Sequence, residues 1–156
     1  RTLPWTAAPM VMAPIAGALV SRTGLRALLV PGLVLQAASL VWMAALTETA
    51  SSYGSMVPAL AMAGVGMGLT FAPSATAVLD GLAESDFATA SSANSTIREF
   101  GVALGVALLT AVFLAQDGTL SPTGYDGAIG PALLTGAAAV GVAVVAAVFA
   151  PGRVVR

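Results

Sequence analysis

The chain has 156 residues, of which 58% are hydrophobic and 8% charged, with six arginines, seven acids and a net charge of −1. A soluble domain carries about 25% charged residues, so this composition and a mean hydropathy of +0.94 exclude an ordinary water-exposed surface and call for a bilayer around the protein. With neither Cys nor His, the chain excludes a disulfide framework, a thiolate or imidazole metal site and a nucleophile–histidine pair, and no enzyme activity, cofactor or nucleic-acid partner is expected.

A hydrocarbon core of about 30 Å takes roughly 20 apolar residues at 1.5 Å each. Five stretches meet or approach this length: span a (3–20), span b (27–46), span c (56–79), span d (95–114) and span e (129–149). The predicted fold class is therefore an all-α integral membrane protein with five transmembrane helices. Of the charged residues only Arg98 and Glu99 lie inside these stretches. Both fall within about one turn of the expected start of span d, where long side chains reach the interface.

Span a carries Pro4, Pro9 and Pro14. The chain opens on Arg1 without a leader or cleavage site, and it is expected to be cut at its amino end. Between spans a and b lies Gly17-Ala-Leu-Val-Ser21-Arg22-Thr-Gly24-Leu-Arg26, which reads as a short loop. Its glycines permit a tight turn, and its arginines anchor the topology on one face. In span b, Gln36 is the only amide near the centre of a span. It can hydrogen-bond across helices or touch a ligand, and structural bonding is the expected role.

Span c contains Pro58 and Pro73. Interior prolines bend helices, which fits helices that line a cavity or move and equally fits the general tolerance of membrane helices for proline. Gly64, Gly66 and Gly68 in span c, with Gly101 and Gly105 in span d, are small-residue patterns that let helix backbones approach closely. Met10, Met12, Met62, Met67 and Phe71 suit an adaptable apolar binding surface, and equally lipid contact or the bundle interior. Ser39, Thr70, Ser74 and Thr110 can bond their own helix backbone.

The connection from span c to span d holds Asp80, Glu84 and Asp86 and reads as a solvated acidic loop. In span d, Arg98 and Glu99 point about 100° apart on a helix, so one faces the bundle and the other the headgroups, as anchors or as a gate. Residues 115–128 are dense in turn formers and read as an external loop before span e. Arg22, Arg26, Arg98, Arg153 and Arg156 share one side of the predicted topology, whereas the b–c and d–e connections have no Arg or Lys. That side, with the C-terminus, is assigned to the cytoplasm.

The a–b connection resembles the signature loop between the second and third helices of major facilitator superfamily transporters, Gly-x-x-x-Asp-Arg-x-Gly-Arg-Arg, matching at Gly17, Arg22, Gly24 and Arg26 and departing at Ser21 and Leu25. The run Gly64-Val-Gly66-Met-Gly68-Leu-Thr-Phe-Ala-Pro73 is similar to the fourth helix of a six-helix half of that family. The run from Ala90 through Asn94 and Arg98 to Gly105 is similar to the start of its fifth helix, most like the fourteen-helix drug:proton antiporters of the EmrB/QacA type, with Glu99 where those have Gln.

The resemblance implies that residues 1–156 are a partial C-terminal transmembrane half, five of the six helices of a half-bundle. It implies a multi-pass protein of a bacterial cell membrane that joins the missing N-terminal helices of the same protein. Its function would be proton-coupled efflux of hydrophobic or cationic drugs by alternating access; a porter for another solute (a metabolite or lipid) and a non-transporting membrane scaffold are the alternatives. The resemblance also makes Met67, Thr70, Phe71 and Ser74 substrate-cavity candidates and Asn94, Arg98 and Glu99 gate or anchor candidates. Leu60 stands where the first-half motif carries Arg, so no proton-carrying group is recognised here. If the apolar runs lie in hydrocarbon, the chain sediments with the membrane fraction and is released only by detergent; a monodisperse soluble form after ultracentrifugation would contradict the membrane assignment.

Overall fold

In hydrocarbon every backbone N–H and C=O must find a partner within the protein, and a helix meets this demand segment by segment. The computed structural model describes residues 3–47, 53–119 and 121–149, and among them every regular element is helical. The order is α1 (Leu3–Thr23), α2 (Leu25–Thr47), α3 (Tyr53–Leu79), a 3₁₀ turn (Glu84–Asp86), α4 (Phe87–Ala115) and α5 (Pro122–Val148). Four segments, Leu25–Thr47, Gly54–Leu79, Glu84–Ala115 and Gly127–Val148, are long and apolar enough to cross a membrane. Spans b to e fall on these four segments, and span a falls on α1, whose 21 residues Leu3–Thr23 include the apolar stretch Met10–Val20.

The helices outrun the hydropathy windows, and the reasons are local. The expected loop from Gly17 to Arg26 is helical except at one residue, Gly24. Gly24 takes φ +84°, a left-handed conformation that glycine adopts without steric penalty. Its N–H reaches the Val20 carbonyl at 2.9 Å, closing α1 with a left-handed cap.

Helix α4 starts eight residues before the expected span d. Its polar first turns are helical, and their hydroxyls are satisfied on the helix itself: Ser92 Oγ donates to the Ala88 carbonyl at 2.8 Å and Thr96 Oγ1 to the Ser92 carbonyl at 2.9 Å. Arg98 and Glu99 therefore sit about three turns inside the helix rather than one turn from its start.

The expected 115–128 loop also contracts. Asp117 takes φ 54°, and the Asp117 and Gly118 amides donate to the Leu114 and Phe113 carbonyls at 3.1 and 3.0 Å. This is the paired-bond pattern that ends a helix on a left-handed residue. Helix α5 then begins at once with Pro122, a residue preorganised for the first helical position.

Helix α2 is central: it packs along α3 on one side and α5 on the other, while α1 lies against α3. Helix α4 leans on α5 and more sparsely on α3, and none of its residues is buried. Among the described residues, α2 and α3 approach each other closely. A Cβ added at Gly66 would lie 2.6 Å from the Gly32 carbonyl oxygen and 2.9 Å from Gln36 Cγ; one added at Gly32 would meet Thr70 Cγ2 at 2.9 Å. Gly64 and Gly68 are also buried. By contrast, a Cβ at Gly101 or Gly105 would meet nothing within 4 Å, so neither makes a close helix approach among the described residues.

These contacts set an expected pair of outcomes in detergent thermal denaturation. Gly66→Val forces α2 and α3 apart and destabilises by about 1–3 kcal/mol, the usual penalty of overpacking, whereas Gly105→Ala leaves the melting temperature unchanged or slightly raised.

Candidate functional site

The rotation of α3 about its own axis is set by one polar bond across the glycine contact. Gln36 Nε2 donates to Thr70 Oγ1 at 3.0 Å, and the Thr70 hydroxyl in turn reaches the Gly66 and Met67 carbonyls at 3.1 and 3.0 Å. Thr70 is consequently buried, at 7% exposure. Phe71 follows about 100° around the helix and turns out of this contact, at 44% exposure. Ser74, one turn on, donates to the Thr70 carbonyl at 2.6 Å, which holds its hydroxyl against the helix opened by Pro73.

Facing this surface is the first half of α4. Thr70, Phe71, Ser74 and Ala75 of α3, with Asn94, Ile97 and Arg98 of α4, line a cleft of ≈ 240 Å³. The Arg98 guanidinium lies over the Phe71 ring, 5.7 Å from its centroid, a cation–π distance. Arg98 Nη2 is 3.8 Å from Glu99 Oε1, with both side chains largely exposed, and Glu99 does not line the cleft. The cleft therefore combines apolar walls with one cation and one amide.

Three of the four substrate-cavity candidates, Thr70, Phe71 and Ser74, thus meet two of the three gate candidates, Asn94 and Arg98. Met67 is half-buried on α3 outside the lining. In the loop motif, Gly17 is half-buried within α1, Ser21 lies in its last turn, and Arg22 is exposed beside Gly24. Arg26 borders an open groove with Thr23, Val30, Pro31 and Val148. Asp80, Glu84 and Asp86 make no ion pair with either arginine among the described residues; the pair found there is Arg98–Glu99.

Two features were not anticipated. Gly32 carries no small-residue repeat of its own, and only its meeting with Gly66 reveals its role. Ile97 and Ala75 look like ordinary span residues until the α3–α4 pairing brings them to one cleft. A second cleft, of ≈ 270 Å³, separates α4 from α5 and is lined by Leu109, Thr110, Phe113, Tyr125 and Ile129 among others. Phe113 and Tyr125 there pack as tilted rings with centroids 5.8 Å apart.

No protein-family profile matches the chain, and no solved structure matches it. Over 93 residues, 60% of its length, the chain is 37% identical to the efflux pump FUS6 of Gibberella moniliformis (strain M3125 / FGSC 7600). It spans 16% of that pump's length. Helices of spanning length and similarity to an efflux pump together mark a membrane protein.

The Gln36–Thr70 bond is open to a double-mutant cycle. Gln36→Leu and Thr70→Val each destabilise in detergent, and their effects are expected to couple by about 0.6 kcal/mol, the average for polar pairs between membrane helices; strictly additive effects would show that the bond does not form.

Proposed function

We propose that the chain is the C-terminal part of a transporter of the major facilitator type, five helices of one half-bundle, that exports hydrophobic small molecules in exchange for protons. The similarity to an efflux pump carries the transport reading. The cleft between α3 and α4 supports a place for the substrate, because residues from two separate sequence motifs converge on it. Its walls from Phe71, Ala75 and Ile97 suit an apolar molecule, while adaptable packing against the sparsely held α4 suits more than one. Of the two substrate chemistries expected, hydrophobic and cationic, the cleft favours the first, since its charged lining residue is itself a cation.

In this reading the missing N-terminal helices supply the opposite wall and the proton-carrying groups. The two halves rock about a site between them, in a cell membrane with the C-terminus on the cytoplasmic side. A porter for a different solute, a metabolite or lipid, is the second reading, and the donors Asn94 and Arg98 in the cleft favour it.

The full-length protein, expressed in a pump-deficient host, is expected to lower accumulation of a hydrophobic dye while a proton gradient stands and to lose that effect when a protonophore is added. Dye exclusion that survives collapse of the gradient would remove proton coupling, and no exclusion of dye or any other solute would remove transport.

A further inference from the structure

We propose that the cleft between α3 and α4 selects an amphipathic acid, a molecule with one carboxylate and a compact apolar body. This rests on the reading of that cleft as the substrate's place and narrows it to a chemical class.

The polar groups of the cleft set which ligand chemistry it can hold. The Thr70 hydroxyl proton is committed to the carbonyls of its own helix and its oxygen accepts from Gln36. The Ser74 hydroxyl proton is committed to the Thr70 carbonyl. Neither has a proton left for a ligand. The donors that remain are the guanidinium of Arg98 and the amide of Asn94, one turn apart on α4 and both in the lining. Asn94 Oδ1 and the Ser74 oxygen can accept as well, but Arg98 carries the one formal charge in the lining, and the acceptor that best fits a guanidinium is a carboxylate, whose two oxygens match its planar fork. An ammonium ligand would meet the like charge of Arg98, which repels it.

Two further observations fit the same class. The Phe71 ring occupies one side of the guanidinium at 5.7 Å, which steadies a long side chain and leaves its other N–H groups for a ligand. Glu99, 3.8 Å from Arg98, stands outside the lining, so the cleft presents the cation and not its counter-charge. The cleft holds ≈ 240 Å³, a little below the roughly 300–1,000 Å³ of drug-sized sites. The cleft between α4 and α5 is an internal contrast. It is of similar size at ≈ 270 Å³, but its lining holds no charged residue, and it has no reason to distinguish an acid from its neutral amide.

The test is equilibrium binding to the full-length protein in nanodiscs, with three probes that share one ring: 2-naphthylacetate, 2-naphthylacetamide and 2-(2-naphthyl)ethylammonium. The acetate is expected to bind about tenfold or more tightly than the amide, the gain of a charge-assisted hydrogen bond over a neutral one, and the ammonium more weakly than either. Arg98→Gln brings acetate and amide to within about twofold of each other, Arg98→Lys keeps part of the preference, and Phe71→Ala weakens acetate and amide alike. Because the readout is a ratio between probes on one protein, a general loss of folded protein does not imitate it.

A preference for the ammonium, equal binding of acetate and amide by the natural protein, or a preference untouched by Arg98→Gln overturns the acid assignment and leaves the transport reading standing. No saturable binding of any probe overturns the cleft as a binding site as well. Retained acetate selectivity in a protein that exports nothing would sink the transport reading alone.

Discussion

Where α2 crosses α3, two residues without side chains, Gly32 and Gly66, bring the helix backbones together so closely that a single added carbon would collide with a carbonyl. In lipid there is little hydrophobic drive between helices, because the tails outside are as apolar as the residues inside; association rests on close packing and on hydrogen bonds. The glycine contact supplies the first and the Gln36–Thr70 bond the second. Together they set both the distance between the helices and the rotation of α3. That rotation turns Thr70 inward and Phe71 outward, and without it the cleft would have different walls.

Helix α4 lies at the other extreme. It has no buried residue, its glycines approach nothing, and Ile97, Phe100 and Val106 along its length are largely exposed. In water such a helix would be an aggregation hazard, whereas in hydrocarbon an apolar surface carries no penalty. The cleft therefore lies between a closely packed α2–α3 pair and a sparsely packed α4. Arg98 stands on α4 and Phe71 on α3, so their cation–π contact links the two.

How much of this was legible beforehand depends on the kind of information each feature needs. The apolar runs announced spans b to e because hydropathy is a property of each segment taken alone. Helix ends were less legible. Ser91 and Ser92 fall before the expected start of span d, yet the helix runs through them, with the Ser92 hydroxyl bonded to the turn before. Gly24 and Asp117 end helices by adopting left-handed backbone, and only for the glycine does the residue type advertise it. Gln36 was recognisable as a bonding amide in an apolar run, but nothing in the chain names Thr70 as its partner, 34 residues away.

The sequence by itself determined the helical, membrane-compatible class, since a chain so poor in charge has no water-compatible surface to fold behind, and unbroken apolar runs of about 20 residues satisfy their backbone in lipid as helices. It also marked Thr70, Phe71, Ser74, Asn94 and Arg98 as residues of interest on two separate helices. Only the tertiary structure decided that these five share one cleft, that Gly32 is the counterpart of Gly66, and that Arg98 faces the cleft while Glu99 does not. The physical reason is that a helix's own pattern specifies which residues share its faces, whereas which face meets which neighbour depends on the packing of a different, distant segment.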